Sequence, residues 1–425
     1  MVVSEARIES WNPALALKLA PLVTLDDDQL FAFCQLNRDL RIERDAEGVL
    51  VLMAPAGGLS SARNLELCRQ LGERPELFAV LRGLWEYHEL RGDLKTALEL
   101  GEELLRLAVA ANDSTLRLVA HDVLGDTLYW LGEFPRALDH LEQGIALYRL
   151  EEHRGLAHQY AGYDPCVACR SFSAYALWYL GYPDRAVQRN EEAIALAREL
   201  SQTVSLILGV EFSALVRHLR RETALAKARA ETDVRLCTEQ ASAFFLGCGM
   251  VEQGWAMAQE GQGDEGVALI LRGMDVCRNA GSTLEFPHCW ASLADAYRAA
   301  GRVEEALGAV GEGLKQARET SARFNEAELY RLKGEVLLGR VTPDAEEAER
   351  CFRQAVDIAR RQSAKSLELR ATTSLSRLLW RRGAREDARR LLGEVYTWFT
   401  EGFETADLKD ARALLDALTT GSTRP

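Results

Sequence analysis

Gly125-Asp-Thr-Leu-Tyr-Trp-Leu-Gly-Glu-Phe-Pro-Arg-Ala-Leu-Asp-His-Leu-Glu-Gln-Gly-Ile-Ala-Leu-Tyr148 is the stretch that decides the fold of this 425-residue chain. Counted from Ala137, it puts Gly125, Leu128, Gly132, Leu141 and Gly144 at offsets of −12, −9, −5, +4 and +7. Small residues at −12, 0 and +7 let two helices approach closely, and the larger apolar side chains at −9 and +4 fill the seam. Gly132 suits the left-handed cap that ends the first helix. The same offsets from Ala306 give Ala294, Tyr297, Gly301, Val310 and Gly313, and from Gly266 they give Gly254, Met257, Gly261, Ile270 and Gly273. The anchor itself recurs at Ala97, Ala137, Ala186, Ala226, Gly266, Ala306, Ala348 and Ala388, at intervals of 40, 49, 40, 40, 40, 42 and 40 residues. A period of this size marks units that bury their apolar faces only by stacking on one another. The expectation is a mainly α fold, a solenoid of about eight helix pairs.

The turns read Leu-Gly-Glu-Phe-Pro-Arg-Ala (131–137), Leu-Gly-Tyr-Pro-Asp-Arg-Ala (180–186), Ala-Gly-Arg-Val-Glu-Glu-Ala (300–306) and Arg-Gly-Ala-Arg-Glu-Asp-Ala (382–388). This pattern resembles the tetratricopeptide repeat, and the resemblance implies a right-handed superhelix. Tetratricopeptide units are about 34 residues long, so the longer period here predicts longer helices, the second of each pair above all. Three runs narrow the resemblance: Trp130 to Tyr148, Glu326-Ala-Glu-Leu-Tyr-Arg-Leu-Lys-Gly-Glu335, and Tyr396-Thr-Trp-Phe-Thr-Glu-Gly-Phe-Glu-Thr-Ala-Asp-Leu408. They are similar to the helical-repeat region that follows the ATPase module, and often a class III adenylate or guanylate cyclase domain, in bacterial signalling proteins. That resemblance covers residues 65–418 and implies a sensor or scaffold role in such a system. No Gly-Lys-Ser or Gly-Lys-Thr occurs, so the phosphate-holding loop of the ATPase is not expected in this chain.

Residues 1–64 read differently. Asp26 to Leu36 suggests a short helix, and Leu40-Arg-Ile-Glu-Arg44 and Val49-Leu-Val-Leu-Met53 flank a polar turn, Asp45-Ala-Glu-Gly48, as in a β-hairpin. The run from Phe31 to Gly58 is similar to the N-terminal portion of the Uma2 family, nucleases of restriction-endonuclease-like fold. The core strands and metal-binding carboxylates of that fold are not expected, because the sequence passes at Ala62-Arg-Asn-Leu-Glu into repeat helices. The expected organisation is a truncated Uma2-like segment over 1–64, the solenoid over 65–418 and a disordered tail over 419–425. A fusion product without its own activity, or an accessory subunit of a Uma2-type nuclease, is the alternative to a scaffold.

With 48% hydrophobic and 27% charged residues and ten prolines, the chain can build a long helical core. A net charge of −13 argues against nucleic acid and anionic membranes as partners. The basic run Arg381 to Arg390 is interrupted by Glu386 and Asp387, as in a solvated helix face. No apolar run approaches the ~20 residues that span a bilayer, and Met-Val-Val-Ser-Glu-Ala-Arg lacks the order of a signal peptide. A cytoplasmic protein is expected. Nine cysteines scattered through helical patterns fit reduced thiols.

No catalytic constellation stands out. Cys166-Val-Ala-Cys169, with His153 and His158 upstream, falls in the excess of the 49-residue interval just before a helix expected over Phe172 to Leu180. It lacks both the paired spacing of a zinc site and the setting of a redox pair. The seven histidines are dispersed, and neither Gly-x-Ser-x-Gly nor His-Glu-x-x-His occurs. Glu304-Glu305 and Glu346-Glu347 sit in first helical turns, where they complement the dipole. No enzyme activity, cofactor or metal is expected.

In tetratricopeptide arrays the first helix of each unit lines a concave groove, and offsets of +1, +4 and +5 from its small residue point inward. From positions 125, 174, 214, 254 and 376 these offsets select Tyr129, Trp130, Tyr175, Trp178, Tyr179, His218, Trp255 and Trp380. Tyr and Trp offer large contact area with few rotors, so a protein or peptide partner in the groove is expected. A small-molecule effector is compatible with the same surface. The competing use of these rings is to fill the gaps between adjacent first helices.

Overall fold

In the computed structural model the described residues are 14–17, 41–44, 50–53, 75–158, 162–240 and 242–420. Two units divide the chain, Met1–Tyr87 and His88–Pro425. The first contains β1 (Ala14–Leu17), β2 (Arg41–Arg44) and β3 (Leu50–Met53), antiparallel in the order β1-β3-β2. Ala14 and Arg41 both face Met53 across that ladder. The helix expected over 26–36, the turn expected at 45–48 and most of the Uma2-like run lie outside the described residues, as do residues 421–425.

From Pro75 the described chain is helical: α1 (Pro75–Leu90), α2 (Leu94–Ala110), α3 (Ser114–Trp130), α4 (Phe134–Leu147), α5 (Leu150–His153), α6 (Pro165–Tyr179), α7 (Pro183–Leu200), α8 (Thr203–Leu219) and α9 (Thr223–Gln240). It continues through α10 (Ala243–Gln259), α11 (Gly263–Asn279), α12 (Phe286–Ala299), α13 (Val303–Thr320), α14 (Glu326–Leu338), α15 (Ala345–Arg361), α16 (Lys365–Arg381), α17 (Arg385–Tyr396) and α18 (Ala406–Thr420). Each of the eight anchors is the fourth residue of a second helix, from Ala97 in α2 to Ala388 in α17, and each is buried. The turn five residues before the anchor is left-handed at Gly92, Gly132, Gly181, Gly261, Gly301 and Gly383. Arg221 takes that place before Ala226, at φ 60°. α18 runs to Thr420, past the expected end of the array at 418.

The extra length per unit is shared by both helices, not concentrated in the second. First helices α3, α8 and α10 each have 17 residues, while second helices range from 12 in α17 to 18 in α7. The long interval before Ala186 is taken up by α5 and a 3₁₀ turn, Leu156–His158. α6 begins at Pro165, not at Phe172, so Cys166 and Cys169 lie within its first turns. Asp164 caps that helix, accepting from the amides of Cys166 (2.9 Å) and Val167 (3.1 Å). Both thiols are buried, and burial raises them, Cys166 to about 12, so they are inert packing groups. Both His153 ring nitrogens are engaged elsewhere: its Nδ1 accepts from the Arg149 amide at 2.9 Å, and its Nε2 pairs with Thr115 Oγ1 at 3.2 Å.

First helices are buried nearly all round, second helices on one stripe. α3 buries every residue from Leu118 to Trp130, whereas α4 buries Phe134, Ala137, Leu141 and Gly144. The cause is position: successive first helices pack side by side and form the inner wall. That wall then meets itself, because α16 returns to touch α6. Ser366 Oγ donates to the Trp178 carbonyl at 2.5 Å, 188 residues away in sequence. The Phe324 amide donates to the Trp130 carbonyl at 3.3 Å. Glu401 accepts from the amides of Asp184 (2.9 Å) and Arg185 (3.0 Å). Gly402, at φ 76°, passes so close to Pro183 that an added Cβ would lie 2.2 Å from Cγ.

Candidate functional site

The return of the chain decides the fate of the aromatic wall. Tyr129 packs its ring 5.0–5.9 Å from Trp130, Phe134, Phe172, Tyr175, Tyr179 and Phe324. Tyr175 stacks on Phe212 at 4.1 Å, and Tyr179 stacks on Phe134 at 4.3 Å. Leu284, Ala322, Phe324 and Leu367 from the later units complete the same core. Tyr129, Trp130, Tyr175, Trp178 and Tyr179 are therefore buried. Trp380 is buried in a separate cluster with Leu392 and Leu414. The offset pattern reads each first helix by itself. It carries no information about the chain's own later segments, which fill the space around these rings.

His218 and Trp255 have a different setting. They stand at the edge of a cavity of about 400 Å³ lined by α8, α10, α12, α14, α16 and α18 and by the turn at Arg221. The two rings stack at 3.5 Å, 6° from parallel. Trp255 Nε1 donates to Asp295 Oδ2 at 3.0 Å, and Arg298 pairs with Asp295 Oδ1 at 2.7 Å. Across the cavity Arg331 grips Glu328 at 2.7 Å, and Arg370 reaches Glu328 at 3.6 Å and Asp407 at 2.7 Å. Arg221 bonds Asp407 at 3.2 Å and Asp410 at 2.8 Å. Arg370 also donates to the Leu219 carbonyl and covers the Trp178 ring at 4.9 Å, joining the cavity to the aromatic core.

The lining carries five arginines (221, 298, 331, 370, 377) and five carboxylates (295, 328, 335, 407, 410). Burial pushes the Glu328 carboxyl up, but Arg331 and Arg370 outweigh it and bring it down to about 2. Asp295 is likewise lowered, by Arg298 and the Trp255 hydrogen bond against burial. Glu328 and Asp295 therefore stay ionised at neutral pH. The arrangement is a balanced mosaic of fixed charge, suited to binding a group that carries both signs. Asp295, Arg298 and Glu335 were legible at offsets +1 and +4 from the small residues Ala294 and Gly334, but a reading for aromatic rings passes over them. Glu328, Arg331, Arg370 and Asp407 have no such offset signal.

The tetratricopeptide repeat family model matches residues 122–150. An uncharacterized protein of Rhizobium meliloti (strain 1021) is 24% identical over 315 residues, 73% of this chain, and the chain spans only 30% of that protein's length. A signal transduction ATPase with numerous domains and a tetratricopeptide repeat sensor, from Pyrococcus horikoshii, superposes with a TM-score of 0.42 at 12% identity, over 89% of this chain and 58% of that one. The apo quorum sensor NprR from B. thuringiensis superposes with a TM-score of 0.45 at 14% identity, over 79% and 92%. Among the described residues no helix is long and apolar enough to cross a membrane. The chain is a helical-repeat array that contains a tetratricopeptide repeat.

Proposed function

We propose that this chain is a non-catalytic regulatory module whose inner cavity receives a short segment of a protein or peptide partner that carries charges of both signs. Five arginines and five carboxylates spread over successive inner helices carry this reading. Several of their ion pairs cross from one helix to another, as Arg370 does to Glu328 on α14 and to Asp407 on α18. A ligand that competes for one partner of such a pair alters how neighbouring units are held, which is what a sensor requires. In the signalling systems that residues 65–418 resemble, occupancy would be relayed to an ATPase or cyclase module.

Fluorescence-polarisation binding of peptides carrying both charges, compared with all-acidic and all-basic peptides of equal length, tests this. Preference for the mixed peptides, lost in Arg331→Ala and Arg370→Ala, supports the cavity. Equal binding by all three sets, or binding unaltered by both substitutions, removes it. The Uma2-like run favours a second reading, an accessory nuclease subunit, which predicts metal-dependent DNA cleavage by the intact chain above that of a chain lacking residues 1–64.

A further inference from the structure

Three consecutive inner helices each direct one metal-ligating side chain to a common point in the cavity wall. The donor atoms of His218 on α8, Glu252 on α10 and His288 on α12 all lie within 4.8 Å of one another. Glu252 Oε2 is 2.7 Å from His218 Nδ1, and Oε1 is 2.7 Å from His288 Nε2. Glu252 and His288 are buried, and His218 borders the cavity. Nothing in the peptide-binding reading uses this triad.

We propose that His218, Glu252 and His288 bind one first-row divalent cation of the Zn²⁺ class, reached from the cavity. Two imidazole nitrogens and one carboxylate oxygen form the donor set such ions take, and three protein ligands leave a coordination position for water. The ion replaces the two hydrogen bonds that now converge on Glu252. Stacking on Trp255 fixes the plane of the His218 ring, and Ser292 Oγ, 3.2 Å from His288 Nε2, would give up that contact to the ion.

A second observation points the same way. One or two turns earlier on the same elements, Glu211, Cys248 and Glu285 also gather their donor atoms within 4.8 Å, all buried. Glu211 Oε2 has no hydrogen-bond partner. A buried carboxyl without a partner is costly unless it holds its proton or a cation balances it. An ion at the histidine triad places positive charge beside these groups and ties α8, α10 and α12 together.

The test is Co²⁺ titration of the chelator-treated full-length chain, followed by ligand-field absorption. The expected result is a visible band that saturates at one ion per chain, is displaced by Zn²⁺, and accompanies a rise in Tm. His218→Ala and His288→Ala each weaken binding on the order of 100-fold. His140→Ala, at the separate His121–His140 contact, leaves it unchanged. Absence of a band in the wild-type chain, or a band that survives both ligand substitutions, overturns the proposal. If His288→Ala does not fold, His218→Ala and the wild-type titration decide. Loss of peptide binding leaves this result untouched, so the two readings fail separately.

Discussion

The inner wall has two halves built on the same repeat and used in opposite ways. Along α3 and α6 it is aromatic and covered by the returning chain, with Phe324 seated 5.0 Å from Trp130 and 5.5 Å from Tyr129. Along α10 to α18 it is charged and encloses an open cavity. Rings lose little by being covered, since burying them is favourable wherever the cover comes from. Charges resist covering, because removing ions from water costs several kcal/mol each unless every partner is supplied. A closing superhelix therefore seals on its apolar half and stays open on its charged half.

The strongest way to break this contrast is to remove the cover. Phe324→Ala should cost about 3–5 kcal/mol, read from urea unfolding, with Trp130 fluorescence shifting to the red in the folded state. An unchanged midpoint would mean that the aromatic half does not depend on its cover.

Arg331→Ala attacks the other half. It leaves Glu328 with Arg370 at 3.6 Å as its remaining ion pair and should cost ~3 kcal/mol at pH 7. Glu328, at about 2 in the folded chain, is depressed below its ordinary value near 4.3. Its contribution is complete above that value and is lost as pH falls toward 2. The variant should therefore lose less stability than wild type on acidification across that window.

Asp233, on α9 between the halves, has the opposite sign. Burial pushes it up to about 8, and its Oδ2 has no partner. The native state binds the proton more tightly than the unfolded chain, so stability falls as pH rises from about 4 to 8. Asp233→Asn should stabilise the protein by roughly 1–3 kcal/mol at pH 8 and hardly at all at pH 4. Equal effects at both values would show that charge is not the cause.

The smallest effect is expected at Arg221. Arg221→Gly relieves a left-handed backbone worth ~1 kcal/mol and forfeits half-exposed ion pairs to Asp407 and Asp410 worth about as much. Thermal unfolding should change little. A large loss would mark Arg221 as a principal tie between the turn and α18.

The anchors were legible because each repeats one local requirement: Ala97, Ala137 and their equivalents meet a neighbouring helix within the same unit, and Gly132 caps a turn within it. Trp130 and Phe324 were not legible as partners. Their meeting depends on how many units complete one superhelical turn, a sum of small rotations that no single unit encodes. The charged cavity escaped for a related reason, since Glu328 and Arg370 meet Asp407 only after the inner helices have fanned around one side. Cys166 and Cys169 were misplaced by a shorter-range effect: Pro165 and Asp164 start α6 a full two turns before the apolar rhythm suggests.

The grip of Glu401 and Gly402 on the turn at Asp184 and Arg185 changes what kind of array this is. An open row of repeats frays from its free end, each unit leaving independently. Here the last units are clasped to the third, so fraying at the far end must also unfasten the near one. Loss of order should then spread through residues 183–420 as a single event, with amide protons in α7 and α18 exchanging at a common rate.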